Sequence, residues 1–408
     1  METVKKYLLS ENTFCFLIAA LLISILFPYA FSTTLAILLF GVSLFSSFYH
    51  RIELKKSMLI PIFLFLLMVI SLLWSIDTGR SFRGLERQLF FLLIPLSFIL
   101  MPKLSRATFS KVLYSFSISI GAMFLLFVIY STFRFLSKDD TGVYFYHSLV
   151  VLFDLNAIYV SSLVSISMLY MIFYRKRTLF HILLIVLLGG FLVMLSSKNI
   201  ITVTVLAGLL GWGFTKRLNL KRGLIMGVLG LGFASLLFYS PIKQRWNQEF
   251  GSDIQEVLTC EGFHIFYPWT GTTLRVFQAR VFYELMEENK VYLTGFGINA
   301  VQGKIAEKQE YYQLYCGYNT YDFHNQYIQT FSELGILGII LLILLLFVII
   351  RDYWKHRELM NLFFFIIMAS VFITESYIWR QRGMIFFLVI YCLLIQVRPY
   401  LDQNNHKE

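Results

Sequence analysis

The chain has 408 residues, of which 58% are hydrophobic and only 14% charged, with a net charge of +11. Together with a mean hydropathy of +0.69, this composition excludes an ordinary soluble domain, where about a quarter of the residues are charged. The seven histidines and four cysteines show no metal-ligand spacing, and the basic excess does not form the single patch that nucleic-acid binding requires.

In chain order, about twelve apolar runs approach the length of a bilayer crossing: 13–31, 33–49, 57–75, 88–102, 111–132, 150–174, 180–196, 200–216, 223–240, 335–351, 361–378 and 383–397. They predict an all-α polytopic membrane protein, because a helix satisfies its own backbone inside lipid. The first run is long and no small-residue cleavage site follows it, so no cleavable signal is expected. Every second connection is short and basic. These are Lys5/Lys6, Arg51/Lys55/Lys56, Lys103/Arg106/Lys111, Arg175/Lys176/Arg177, Lys216/Arg217/Lys221/Arg222, Arg351/Lys355/Arg357 and Arg398/Lys407. The positive-inside rule puts this set and both termini in the cytoplasm, where anionic lipid heads account for the charge.

The cations left on the other side need a different reason. Arg80, Arg83 and Arg87 follow the third run at helical spacing, with Phe82, Leu85 and Leu89 on the opposite face, as suits a helix in the interface. Lys198 sits in a tight turn, Ser196-Ser-Lys-Asn199, and Arg380 and Arg382 flank the turn between the last two runs, beside Glu375. Such residues either bind a polyanion such as a lipid diphosphate, or anchor to outer phosphates and pair with Glu86 and Glu375.

The segment from Pro241 to Phe323 is far longer than an ordinary connection and is rich in aromatics, with Tyr267-Pro-Trp269 and Tyr311-Tyr312. Its clearest helix runs from Thr272 to about Glu288, capped by Thr272 or Thr273, with Leu274, Phe277, Val281 and Leu285 as an apolar stripe and Arg275 and Arg280 projecting. Gly295-Phe-Gly297 is a weak phosphate signal and more simply a turn. Cys260 and Cys316 would share an oxidising side, where a disulfide is one expectation. The chain thus divides into 1–240 with the first nine spans, 241–334 as one periplasmic loop domain, and 335–408 with three spans and a cytoplasmic tail.

The segment Asp322-Phe-His-Asn325 to Gly335-Ile-Leu-Gly338 joins that domain to the next span. Read as helix, it aligns His324, Ile328, Phe331 and Gly335 on one face. A titratable imidazole would stand where the chain enters the membrane, and the two glycines would admit a neighbouring helix. Packing of an interfacial histidine is the plainer reading of the same pattern. No phosphate-binding loop, dinucleotide fingerprint or zinc motif occurs. Asp139-Asp140 is the one acidic pair at an outer edge, so a metal-dependent nucleotide-sugar transferase is not expected. The two halves of the chain show no repeat, which weighs against a transporter.

His324-Asn325, nine residues, Gly335, two residues, Gly338 resembles the signature of the O-antigen ligase family of bacterial membrane glycosyltransferases, which includes O-antigen polymerases. Arg275 ahead of Gly295-Phe-Gly297 also resembles the family's large-loop pattern, whereas Ser197-Lys198 stands where the family commonly has Ser-Arg. The resemblance implies a GT-C-like transferase in the inner membrane with its site facing the periplasm. It would use an undecaprenyl-diphosphate-linked glycan as donor and lipid A–core or another glycan as acceptor, without cofactor, metal or ATP, in lipopolysaccharide biosynthesis. His324 and Arg275 would be catalytic, and Arg80, Arg83, Arg87, Lys198, Asn325, Arg280 and Arg382 would bind substrate. Ligation is the expected reaction. Repeat-unit polymerisation and a flippase or transporter are the alternatives.

Overall fold

The computed structural model describes residues 9–214, 253–264, 267–318 and 321–404, with the backbone alone for Lys138, Cys316 and 398–404. The expected ninth span, 223–240, and the basic groups at Lys5/Lys6, 216–222 and Lys407 lie outside the described residues. Among those residues every regular element is helical. The first are α1 (Glu11–Ser24), α2 (Tyr29–Ser47), α3 (Leu59–Ile70), α4 (Thr78–Gln88), α5 (Phe90–Leu100) and α6 (Arg106–Lys138). They are followed by α7 (Ala157–Tyr174), α8 (Leu179–Met194) and α9 (Lys198–Phe214). After the undescribed stretch come α10 (Ile254–Thr259), α11 (Gly271–Asn289), α12 (Gln302–Tyr311), α13 (Gln326–His356), α14 (Leu359–Thr374) and α15 (Gln381–Asn404).

Among the described residues, five stretches are long and apolar enough to cross a membrane: α2, α3 with its flanking turns, α6, α7 and α13. The helices α1, α8, α9, α14 and the Gln381–Val397 part of α15 are apolar but shorter. The run expected at 88–102 yields α5, which by itself rises about 16 Å, half of a hydrocarbon core. Its residues continue from α4 after a break at Leu89 and hold Pro95 inside the helix.

Two helices form the middle of the bundle. α7 is buried along nearly its whole length, from Ala157 to Ile172, and α15 is buried from Met384 to Leu394. Around them α13 packs on α14 and α3, α9 on α14, α1 on α6, and α2 on α5. A second, separate apolar core gathers Val257, Phe263, Phe277, Val281, Leu285, Phe296, Val301, Ile305 and Phe323. It belongs to the polar segment and sits beside the start of α13.

The connections sort to two ends. At one, Lys55 Nζ donates to the carbonyls of Ile395 (3.1 Å) and Gln396 (2.6 Å), Lys103 pairs with Glu53 at 2.6 Å, and Arg106 lies 3.8 Å from Glu358. These are the basic connections that the sequence assigns to one side. At the other end lie the α1–α2 turn, the α6–α7 loop, the α14–α15 turn and the second core.

The glycines of the 322–338 segment act differently from expectation. α13 is broken at Gly335, whose φ of 62° and ψ of −157° leave the helical region. The break frees carbonyls, and the 292–297 loop meets them. Phe296 N donates to Ser332 O (2.8 Å), Gly297 N to Glu333 O (2.9 Å), and Ile336 N returns a bond to Tyr292 O (3.0 Å). A methyl group at Gly335 would run into the Leu293 carbonyl, and one at Gly295 into Glu333. Gly335 therefore makes room for this loop, not for a neighbouring helix, and Gly295-Phe-Gly297 is a structural strap, not a phosphate cradle. The same loop clamps α4: Ser81 Oγ donates to Ile298 O at 2.6 Å, and Asn299 Nδ2 to Arg80 O at 2.9 Å.

Candidate active site at the head of α13

α11 begins one residue earlier than its sequence stripe suggests, because the cap is Thr270, whose hydroxyl and that of Thr273 close a capping box. That reciprocal pair satisfies two orphan amides, which neither Thr272 nor Thr273 does as the capping residue. Phe277, Val281 and Leu285 enter the second core, which turns Arg275 outward to the C-terminal end of α14. There Arg275 Nε donates to the Thr374 carbonyl (2.8 Å) and Nη2 to Glu375 Oε1 (3.0 Å), while Nη1 returns to Gly271 O (2.8 Å). A helix C-terminus carries unpaired carbonyls and partial negative charge, so a guanidinium is favourable there.

His324 lies outside the helix that the sequence pattern extends through it. Its φ is 47°, a left-handed conformation costly for a residue with a Cβ. Asp322 holds it there, with Oδ1 accepting from His324 N (2.9 Å) and from Ser376 Oγ (3.0 Å) while Oδ2 receives Arg380 Nη2 at 3.1 Å. The helix starts only after Asn325, whose Oδ1 caps Ile328 N (3.1 Å) and whose Nδ2 donates to Ile373 O (3.1 Å). Asn325 is thus occupied in fixing the turn.

The imidazole faces two carboxylates on one side only. Nδ1 is 3.5 Å from Glu375 Oε2 and 3.9 Å from Asp322 Oδ1, and Tyr321 packs against the ring with centroids 5.1 Å apart. Nε2 is buried and, among the described residues, has no hydrogen-bond partner. Burial pulls the His324 pKa down, but the Glu375 hydrogen bond and the charges of Asp322 and Glu375 outweigh it, so the net shift is upward from 6.5. With Nδ1–H directed to Glu375, Nε2 presents a lone pair, the arrangement of a general base.

A cavity of about 630 Å³ opens in front of this group. Arg275, His324, Glu375, Arg380 and Arg382 line one part of it, Ile25, Leu26 and Tyr29 another, and Tyr146, His147, Asp154 and Asn156 of the α6–α7 loop a third. Arg382 is held by the carbonyls of Asp154 (2.8 Å) and Phe153 (3.1 Å) and lies over the Tyr29 ring at 4.4 Å.

Of the residues picked from sequence, the structure brings together His324, Arg275 and Arg382. It adds Glu375, Asp322, Arg380 and Tyr321. The only hint of this in the sequence was the cluster of charges, Glu375 to Arg382, between two apolar runs. The others stand apart from the cavity lining. Arg280 is spent inside the second core, pairing with Glu284 at 2.9 Å and donating to Cys260 O (2.8 Å) and the Tyr312 hydroxyl (2.9 Å). Arg80 pairs with Asp77 at 3.1 Å, Arg83 is exposed, and Arg87 lies over the Trp379 ring at 4.6 Å. Lys198 opens α9 next to Asn199, which donates to Thr374 Oγ1 at 3.2 Å. Cys260 is a free thiol directed at Gly262 O (2.7 Å), so the expected bridge to Cys316 is not formed.

No curated protein matches the chain. Residues 182–343 match the family model Wzy_C, O-antigen ligase; that segment runs from α8 into α13 and holds both Arg275 and His324.

Proposed function

We propose that the protein is a membrane glycosyltransferase that moves a glycan from undecaprenyl diphosphate to an acceptor hydroxyl, as in ligation of O-antigen to lipid A–core on the periplasmic face of the bacterial inner membrane. The observation that carries this reading is His324, with Nδ1 directed at Glu375 and Nε2 unpartnered, at the wall of a cavity that also holds three arginines. In the reaction, Nε2 takes the proton of the acceptor hydroxyl as its oxygen attacks the anomeric carbon. The bond from that carbon to the diphosphate oxygen breaks, and the electron pair leaves with the diphosphate. Arg275, Arg380 and Arg382 stabilise the charge that develops there. The donor bond supplies the driving force, so the step draws on no nucleotide and on no metal.

Arg80, Arg83, Arg87 and Lys198 then serve outside the cavity, toward lipid head groups or the distal glycan. The proposal keeps twelve spans and the division 1–240, 241–334 and 335–408, with the middle part periplasmic. Reporter fusions that placed 241–323 in the cytosol would defeat it.

The direct test is transfer by the purified protein in lipid, from a polyprenyl-diphosphate glycan to lipid A–core. The His324→Ala protein should insert normally and transfer nothing measurable. In cells lacking the gene, long glycan left on its carrier supports ligation, whereas a core bearing one repeat unit assigns the same chemistry to polymerisation.

A further inference from the structure

The part of the cavity wall that the α6–α7 loop forms is built differently, and the transfer chemistry uses none of its side chains. The α6–α7 loop ends in a turn, Val151–Phe153, after which Asp154 adopts a left-handed φ of 48°. Arg382 grips the carbonyls of Phe153 and Asp154, which holds the backbone of that turn. Among the described residues the Asp154 carboxylate makes no hydrogen bond or ion pair. Two residues on, Asn156 caps α7 with Oδ1, which accepts from Ile158 N at 2.8 Å, so its Nδ2 group is left as a donor without a partner. His147 ties the loop to the helix by accepting from Ala157 N at 3.1 Å. Asp154 and Asn156 both line the cavity.

A carboxylate that only accepts and an amide that donates, held two residues apart on a rigid turn, is chemistry matched to adjacent sugar hydroxyls, which do both. Diphosphate would be repelled by Asp154, and an apolar chain would leave both groups unsatisfied. Arg382 stands beside them on the same wall, so a sugar here would be the one attached directly to the diphosphate. We propose that Asp154 and Asn156 form the subsite that recognises the hydroxyls of the donor's first sugar and so set donor specificity. This rests on the lipid-diphosphate reading of the cavity.

Two near-isosteric changes test it. Asp154→Asn keeps a residue type that tolerates the left-handed backbone, and Asn156→Asp keeps the Oδ1 cap. Binding to the reconstituted protein is measured for a short polyprenyl diphosphate, bare or carrying one sugar, and for the sugar's monodeoxy series. The sugar should tighten binding to the unaltered protein, and each variant should cut the preference for the sugar-bearing over the bare lipid about 10- to 100-fold, whatever the change in charge does to both lipids alike. One deoxy analogue should cost the unaltered protein as much and the matching variant nothing further. Equal weakening of bare and sugar-bearing lipids, no weakening of either, or additive losses would each overturn the subsite. Intact sugar discrimination without any transfer would instead retire the reaction proposed above and leave the subsite standing.

Discussion

Two groups of arginines lie at the same end of this molecule, and they differ in what their surroundings ask of them. Arg275, Arg380 and Arg382 converge on one cavity from α11, the α14–α15 turn and α15, and each is oriented by a carbonyl or carboxylate behind it. Arg80, Arg83 and Arg87 share one helix, α4, which the 296–299 loop clamps through side-chain hydrogen bonds to main-chain carbonyls. Regular spacing on a helix displays charge outward, whereas the cavity group comes from two segments distant in sequence, Arg275 in one and Arg380 with Arg382 in the other. The lesson is that convergence, and not periodicity, marks the cations that can hold a ligand.

The largest expected effect tests the group that the arginines surround. His324→Ala should reduce kcat by about 10²- to 10⁴-fold, the usual worth of a positioned base, with insertion and melting temperature little changed. Arg275→Lys keeps the charge but cannot span Thr374 O and Glu375 together, and a loss of about 10- to 100-fold in kcat/KM is expected. If lysine serves as well, the cavity arginines are no different from those of α4. Glu375→Gln should act mainly on pH dependence. A base must be neutral, so activity falls as pH drops through the raised His324 pKa. Removing the Glu375 charge lowers that pKa, and the acidic limb of kcat/KM should move to lower pH. An unmoved limb would mean that the histidine does not titrate in the reaction. The smallest effect belongs to α4, where Arg83→Ala should change transfer by less than about threefold, as surface substitutions usually do. A severe loss there would erase the comparison.

Much of this was readable from residues in order. The apolar runs match helices wherever the chain is described, apart from the short α5, and the helix expected at 272–288 is present at Gly271–Asn289. His324 and Arg275, both picked from the sequence, line one cavity. What was not readable is long-range. Asp322 meets Arg380, and Arg275 meets Glu375, through packing that no local pattern encodes. Likewise, the helical pattern runs unbroken through His324 and Gly335, because periodicity records side-chain polarity and not backbone angle. The break at Gly335 is set by the 292–297 loop, and only the fold brings that loop alongside.

That break has a mechanical result. Loop and helix are welded backbone to backbone across the Gly295–Gly335 contact, with no side chains between them to act as a bearing. The unit built on the second core, which brings Arg275 to the cavity, is therefore joined through main-chain hydrogen bonds to the same helix that His324 precedes.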